Sequence, residues 1–374
     1  MILLSYDYPP NDGGIARLCE AIAVAGVRLG IPVHVVAPHP ASGRAVASVI
    51  VPETRVCFRR PWREWNIYWV LRHLRVSGPV VTGLWYPDGL LAFLARRRPL
   101  VILAHGSELM PTRSALRRGA WQSLQRRTCE SADLVVANSE YTRLLVLRGS
   151  PKAKVVAIPL GVDHKRFTPE GRENARERLG VAGKLVLSSV SRLHAYKGHE
   201  TVLQALALLP EMIRQRFVYM VAGKGPYEPA LRSKVDHLNL GSAVRWLGFV
   251  PEEDLPDLYR ASDLFVLCTR ETTEQQEVEG FGMVFLEAQA CGTPVVGART
   301  GGIPDAVREG EGGWLIDQDD AVTLAGILTQ LAEDPAPFRA AGVAARERVE
   351  RECTWDHYME RFLSALSAQG IQLG

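Results

Sequence analysis

The sequence lacks an apolar run that approaches the roughly 18 residues of a transmembrane helix. No secretory signal is recognisable ahead of Met1-Ile2-Leu3-Leu4, and these residues are predicted to form a strand. We therefore expect a cytoplasmic protein, either soluble or peripheral on the cytoplasmic face of the membrane.

Cysteine is sparse and scattered. The six cysteines include no CxxC pair and have no histidine cluster beside them, which excludes a disulfide framework and a zinc site of the usual spacing. Reduced, mostly buried thiols are expected at these positions. They are Cys19, Cys57, Cys129, Cys268, Cys291 and Cys353.

Nucleic-acid signatures are also missing, because no helix-turn-helix pattern and no aromatic-plus-basic RNA motif is found. The net charge of +3 nevertheless hides an asymmetry. Residues 1–160 carry 21 Lys and Arg against 10 Asp and Glu, whereas the remainder carries 23 against 31. The basic first half favours a phosphorylated substrate or an anionic lipid over nucleic acid.

Buried strands alternate with helices along the 374 residues, and this pattern predicts parallel sheets covered on both faces. The strand pattern pauses near Pro159-Leu160-Gly161-Val162-Asp163. We predict a first domain at residues 1–162, a second at 163–352, and a final helix within 353–374 that crosses back to the first domain. Ligands of such sheets bind beyond the carboxyl ends of the strands, so a cleft between the domains is the expected site.

The chain is organised around the stretch from Glu279 to Pro294, in which two carboxylates flank a glycine-rich turn that leads into a helix. Gly280 and Gly282 allow a close backbone approach, and the first amides of the helix would face an anion. Glu287, more than one turn further on, could accept hydrogen bonds from a diol such as a ribose. The stretch is therefore interpreted as a nucleotide-sugar site.

Three further segments follow predicted strands of the second domain. Arg192 and Lys197 lie close enough in sequence to neutralise a pyrophosphate without a metal, although a solvated loop is the alternative. Gly223 and Gly225 offer backbone amides or a close wall for a nucleotide, and a turn that needs positive φ explains them equally well. The segment Gly248-Phe249-Val250 could line a base pocket or simply end a strand.

In this order, the segments resemble the retaining glycosyltransferases of family 4 over nearly the full chain. The resemblance implies the GT-B fold, an α/β architecture of two Rossmann-like, doubly wound parallel-sheet domains that face each other across a cleft. The matching segments are Pro10-Asn11-Asp12-Gly13-Gly14, His105-Gly106, Asn138-Ser139, residues 159–163, Ser191-Arg192-Leu193 with Lys197-Gly198, Gly223-Lys224-Gly225-Pro226, Leu247-Gly248-Phe249-Val250, Glu279 to Glu287, and Cys291-Gly292-Thr293-Pro294-Val295-Val296.

The resemblance implies a role for each matching residue. Arg192 and Lys197 would hold the donor diphosphate and stabilise it as the leaving group, and Glu287 would bind the ribose. Glu279 and the amides of Phe281, Gly282 and Met283 would contact the donor sugar and phosphate. The Gly13-Gly14 loop would approach the pyrophosphate and acceptor. His105 would lie near the donor sugar and resembles the catalytic-site histidine of the family.

The implied reaction retains the anomeric configuration and needs neither a cofactor nor a metal, since two cations already serve the phosphate. A nucleophilic Glu279, as in double-displacement glycosidases, is the less favoured alternative to a binding role. The residues Glu277-Val278-Glu279-Gly280-Phe281-Gly282 resemble those of mannosyltransferases of phosphatidylinositol and favour GDP-mannose over a UDP-hexose.

The acceptor is unknown, and a lipid-linked one is suggested by basic and aromatic residues of the first domain. These could bind an anionic membrane surface, or they could be ordinary solvated arginines and core aromatics. The residues are Arg96, Arg97, Arg98, Arg113, Arg117, Arg118, Arg126 and Arg127, with Leu116, Trp121 and Leu124 between them, and the segment Trp62-Arg63-Glu64-Trp65-Asn66-Ile67-Tyr68-Trp69.

Two other classes of function remain open. A non-catalytic nucleotide-sugar-binding protein could have the same fold, although His105, Arg192, Lys197, Glu279 and Glu287 together argue against it. An NAD-dependent oxidoreductase is disfavoured because the first turn lacks GxGxxG and no acidic ribose partner follows at the expected distance.

Overall fold

The computed structural model describes residues 1–11, 13–39, 51–56, 62–110, 115–272 and 277–373, and the side chains of residues 115–117 are not described. The described chain forms two compact units. The first combines Met1–Leu160 with Trp355–Gly374, and the second is Gly161–Thr354.

The first unit contains a parallel sheet of seven strands in the order β3-β2-β1-β4-β5-β6-β7. Its strands are β1 (Ile2–Leu4), β2 (His34–Pro38), β3 (Glu53–Val56), β4 (Val80–Thr82), β5 (Leu100–Ala104), β6 (Leu134–Ala137) and β7 (Val155–Ala157). Its helices are α1 (Gly14–Arg28), α2 (Trp62–His73), α3 (Leu90–Leu94), α4 (Ala115–Ser131) and α5 (Glu140–Gly149), with α15 (Trp355–Ala368) from the end of the chain.

Apolar runs build the centre of this sheet. Every residue of β1, β4, β5 and β6 is buried, as a parallel sheet covered on both faces requires. Helix α15 packs against α1 and buries Tyr358 and Phe362. The final helix therefore belongs to the first unit although the chain has passed through the second.

The second unit contains a parallel sheet of six strands in the order β10-β9-β8-β11-β12-β13. Its strands are β8 (Leu185–Val190), β9 (Phe217–Ala222), β10 (Val244–Gly248), β11 (Leu264–Leu267), β12 (Val295–Ala298) and β13 (Gly313–Ile316). Its helices are α6 (Arg172–Arg178), α7 (His199–Leu208), α8 (Glu211–Arg214), α9 (Glu228–His237), α10 (Leu255–Ala261), α11 (Met283–Ala290), α12 (Ile303–Ala306), α13 (Ala321–Glu333) and α14 (Ala336–Glu352).

Both sheets run outward in two directions from a central strand, so the prediction of two doubly wound parallel sheets is confirmed. Strands β3 and β13 were missed, and both lie at a sheet edge. Edge strands are partly exposed and need no continuous apolar run. The polar sequence of β3 and the glycines before β13 therefore hide the strand pattern.

None of the helices in the described parts of the chain is long and apolar enough to cross a membrane. The cysteines that the structure describes are free thiols and are buried, as predicted, and Cys57 lies outside the described residues.

Candidate active site

The order in which successive strands are added to the second sheet reverses between β8 and β11. Ligands of doubly wound sheets bind at such a reversal of strand order. The turn after β8 runs from Ser191 to a short 3₁₀ helix, Ala195–Lys197. Gly198 follows with φ 70°, and a Cβ at this position would lie 1.6 Å from the Cys268 carbonyl oxygen. Only glycine can therefore bring this turn so close to the end of β11.

Lys197 of this turn forms an ion pair with Glu279, which precedes helix α11. The Lys197 Nζ lies 2.5 Å from the Glu279 Oε2, although the residues are 82 positions apart in sequence. Burial opposes the charge on Lys197, but the Glu279 carboxylate and the Tyr196 side chain outweigh it and raise the pKa of Lys197. The lysine therefore remains a cation, and the structure joins two residues that were assigned separate parts of the donor.

Arg192 lies in the same turn but faces solvent. Its guanidinium makes no ion pair with any residue that the structure describes. The turn thus presents one cation bound to a carboxylate and one that is available to an external anion.

Gly282 lies immediately before helix α11. Its φ of 89° is left-handed, and a Cβ there would lie 2.7 Å from the Phe285 ring. Helix α11 starts at the next residue, so its first amides lack an intrahelical acceptor. Within the described ranges, no backbone oxygen or side chain accepts from the amides of Phe281, Gly282 and Met283. These groups suit an anion at the start of the helix.

Glu287 is only 5% exposed, and its Oε2 accepts a hydrogen bond of 2.6 Å from the Tyr259 hydroxyl. Tyr259 lies on α10 and is fully buried. The hydroxyl orients the carboxylate through a charge-assisted hydrogen bond. Sequence reasoning missed Tyr259 because no local motif links it to a residue 28 positions away.

The remaining predicted donor residues flank the turn after β8. Val190 pairs with Ala222, so Ser191 and Gly223 leave neighbouring strands side by side. A Cβ at Gly223 would lie 1.8 Å from the Ser191 carbonyl oxygen, and one at Gly225 would lie 2.2 Å from that of Leu193. Both glycines are thus needed for packing of two turns, whatever they contact in a ligand.

Two residues of the segment Gly248-Phe249-Val250 already make contacts within the second unit. The Gly223 amide donates to the Gly248 carbonyl at 2.6 Å, so this amide already has an acceptor. Val250 packs against a small apolar cluster, whereas the Phe249 side chain is exposed. Phe249 is therefore the member of this segment whose side chain is open to a ligand.

In the first unit, His105 follows β5 at the carboxyl edge of the sheet. Its Nε2 lies 2.7 Å from the Gly83 carbonyl oxygen, and its amide donates to Glu108 at 2.6 Å. A carbonyl can only accept, so Nε2 carries the proton and a neutral ring keeps Nδ1 as an acceptor. Gly13 (φ 151°) precedes α1 at the same edge, and Gly14 is the first residue of that helix. The preceding residue, Asp12, lies outside the described residues.

The comparisons with known proteins cover nearly the whole chain. Residues 12–166 match the model of Glycosyltransferase Family 4, and residues 171–348 match the model of glycosyl transferases group 1. The GDP-mannose-dependent alpha-(1-6)-phosphatidylinositol monomannoside mannosyltransferase of Mycolicibacterium smegmatis is 31% identical over 99% of this chain and 98% of its own. The chain belongs to glycosyltransferase family 4.

Two other proteins are similar to this glycosyltransferase. The D-inositol 3-phosphate glycosyltransferase of Actinosynnema mirum is 34% identical over 79% of this chain and 73% of its own. The structure of Anabaena HepE in complex with UDP has a TM-score of 0.80 at 23% identity, covering 98% of this chain and 100% of that one. The predicted GT-B fold is confirmed, and the enzyme uses a nucleotide sugar.

A charged cluster contacts the turn after β8 of this glycosyltransferase, and it was not predicted from the sequence. The Arg270 amide donates to the Tyr196 carbonyl at 2.6 Å, and the Arg270 guanidinium pairs with Glu200 at 2.8 Å and with Asp319. Asp319 belongs to an Asp-x-Asp triplet, Asp317-Gln318-Asp319, after β13. In the described ranges, no group of three His, Cys, Asp or Glu side chains could hold a metal ion.

Proposed function

We propose that this glycosyltransferase transfers a hexose, with retention of anomeric configuration and without a metal ion, from a nucleoside-diphosphate sugar to a hydroxyl of a lipid-linked acceptor. GDP-mannose is the favoured donor and a UDP-hexose the alternative. The observation that carries the proposal is the set of Arg192, the Lys197–Glu279 pair, three amides without a described acceptor, and the oriented Glu287 at one sheet reversal.

The donor groups divide into three parts. Arg192, Lys197 and the amides of Phe281, Gly282 and Met283 would hold the diphosphate and stabilise its charge as it leaves. Glu287, held by Tyr259, would accept hydrogen bonds from the ribose hydroxyls. Glu279 would bind the sugar while orienting Lys197, which its ion pair already supports.

In the proposed transfer, the bond from the anomeric carbon to the diphosphate oxygen breaks as the acceptor oxygen bonds to the same face of that carbon. The acceptor proton passes to the leaving diphosphate oxygen, so no separate general base is required. Residues 1–162 would bind the acceptor, with His105 and the Gly13-Gly14 loop near the reacting groups. Holding both substrates in position supplies much of the rate acceleration.

The preference for GDP-mannose and a lipid-linked acceptor rests on relatives. The protein of Mycolicibacterium smegmatis, similar over nearly its full length, is a GDP-mannose-dependent phosphatidylinositol monomannoside mannosyltransferase. A relative from Corynebacterium glutamicum, 31% identical, is a GDP-mannose-dependent monoacylated alpha-(1-6)-phosphatidylinositol monomannoside mannosyltransferase. Both therefore favour mannose and a glycolipid for this chain.

An exposed aromatic face of α2 supports an interaction with the membrane. Trp62, Trp65 and Trp69 are 64%, 56% and 44% exposed, and their spacing places them on one side of the helix. They line a groove of about 880 Å³ together with Glu64, Tyr68, Arg72, His73, Leu91 and Leu94 of α2 and α3. Tryptophan beside arginine suits the interface of an anionic bilayer.

Some of the other predicted membrane residues are bound within the protein, whereas Arg96, Arg118, Arg126 and Arg127 are exposed. Arg97 donates to the carbonyls of Leu71 and Leu74, and Arg98 pairs with Asp133 at 2.9 Å. On α4, Trp121 packs against Trp85 in the core, with ring centroids 4.9 Å apart. Arg113 and the side chains of Leu116 and Arg117 lie outside the described residues. Helix α2 is thus the better candidate surface.

Replacing Trp62, Trp65 and Trp69 together with serine should reduce the fraction that sediments with vesicles containing phosphatidylserine by at least half, because each tryptophan contributes apolar burial at the interface. The exposed hydrophobic residues Leu208 and Met212 of the second unit, replaced by serine, provide the matched control. Equal sedimentation of the wild type with neutral and anionic vesicles would contradict electrostatic docking.

Ligand-dependent thermal unfolding tests the donor class. GDP or UDP at a hundredfold excess over its Kd should stabilise the protein by about 2.7 kcal/mol, whereas NAD should not. Incubation of the preferred nucleotide sugar with phosphatidylinositol mannoside should then yield a product with one more hexose. Nucleotide binding without release of nucleoside diphosphate would favour the non-catalytic alternative, and stabilisation by NAD alone would favour the oxidoreductase.

A further inference from the structure

A continuous chain of buried hydrogen bonds lies beneath the turn after β8. His199 is the first residue of α7 and is only 3% exposed. Its Nε2 lies 2.9 Å from the Ser191 Oγ, and its Nδ1 lies 2.8 Å from the Tyr219 hydroxyl. The Tyr219 hydroxyl lies 2.8 Å from the Ser189 Oγ, and Ser189 donates to the Val266 carbonyl of β11.

The Val266 end of this series of hydrogen bonds fixes which group donates in each bond. A backbone carbonyl can only accept, so the single Ser189 proton is used on Val266 and the Tyr219 hydroxyl must donate to Ser189. The Tyr219 oxygen then accepts from the Nδ1–H of His199. A neutral imidazole with a proton on Nδ1 has an unprotonated Nε2, which accepts the Ser191 proton.

The surroundings of His199 support the neutral ring. Burial, followed by the nearby charge of Lys197, lowers the pKa of His199 to about 3. Ser191 also lies 3.1 Å from the Arg192 carbonyl, but its proton is required by Nε2. The direction of every bond in the chain is therefore determined by the fold.

We propose that His199 is a positioning residue, which holds the Ser191-Arg192 turn in the geometry that binds the donor diphosphate. It links that turn to β9 and β11, the strands on either side of β8. The proposal rests on the donor site proposed above. It assigns a role to a histidine that makes no contact with the reacting groups.

The first test is nucleotide affinity, measured by calorimetry with GDP and UDP on the full chain. His199→Phe and Ser191→Ala should each weaken the Kd of the nucleotide that binds the wild type by roughly five- to tenfold, about the effect of one hydrogen bond. In turnover, the donor KM should rise more than kcat falls. Ser262→Ala removes another buried serine hydroxyl, at the end of α10, which donates to Ser188 of β8 at 2.7 Å, and should leave the Kd unchanged.

Nitrogen-15 NMR of the imidazole provides a second measurement that a purely structural role would not change. The wild type should show protonated Nδ1 and unprotonated Nε2, and Tyr219→Phe should mix the tautomers while the protein stays folded. Wild-type Kd values in folded His199→Phe and Ser191→Ala, or protonated Nε2 in the wild type, would overturn the proposal. Failure of GDP and UDP to bind the wild type would refute the donor site itself, whatever tautomer the spectrum shows.

Discussion

Lys197→Ala should reduce kcat/KM for sugar transfer by about 10²–10³-fold, with most of the loss in kcat. This is the expected cost of removing one preorganised group that stabilises charge in a transition state. Lys197 is 9% exposed and paired with Glu279 at 2.5 Å, so its ammonium is held in place before the donor binds. Steady-state kinetics with the preferred nucleotide sugar would measure the effect.

Two variants separate chemistry from folding in this experiment. Lys184→Ala removes another lysine of the same unit, which donates to the Gln215 carbonyl at 2.8 Å, and should retain turnover near that of the wild type. Thermal unfolding of Lys197→Ala should remain cooperative. Turnover near that of the wild type in a folded Lys197→Ala protein would show that the leaving group is stabilised elsewhere.

Glu287→Ala should raise the KM for the donor by roughly a hundredfold while changing kcat less. Hydrogen bonds to a charged group contribute about 1.5–3 kcal/mol each, and the ribose hydroxyls would lose theirs in both the ground state and the transition state. The Tyr259 hydroxyl, at 2.6 Å from the carboxylate, would also lose its acceptor. The donor dependence of initial rates gives both constants.

Two control variants accompany Glu287→Ala. One changes Tyr259 of α10, which bonds Glu287 of α11, and the other removes a surface carboxylate. Tyr259→Phe leaves the carboxylate but removes its orienting hydrogen bond, so we expect a rise in KM of only a few-fold. Glu350→Ala removes a glutamate that pairs with Arg346 at 2.6 Å on α14 and should not alter KM. An unchanged donor KM in Glu287→Ala would exclude a ribose-binding role.

Much of the fold was predictable because parallel strands need continuous apolar runs. The central strands, such as β5 and β9, are buried along their full length and carry this pattern in their sequence. Edge strands β3 and β13 have an exposed side, so their sequences are free of that requirement. Prediction therefore succeeded at the centre of each sheet and at the edge strands β7 and β10, and it failed at the edge strands β3 and β13.

The sequence predicts residues of the proposed donor site where their chemistry is local. The glycines before α11 and the cations after β8 each lie within a few residues of a strand or helix end, and the sequence alone indicates that they can bind an anion. The family also follows from the order of these segments, and the comparisons confirm the family over nearly the whole chain. By itself, the sequence thus determined the fold class and the family, and it predicts which residues contact a nucleotide sugar.

Only the tertiary structure decided which of these residues act together. It pairs Lys197 with Glu279, places Tyr259 against Glu287, and connects His199 to Val266 through two hydroxyl groups. It also separates the exposed tryptophans of α2 from Trp121, which is half-buried and packs against the core. The physical reason is distance along the chain: hydrogen bonds and ion pairs depend on positions that the packing of strands and helices sets, and no local pattern records them.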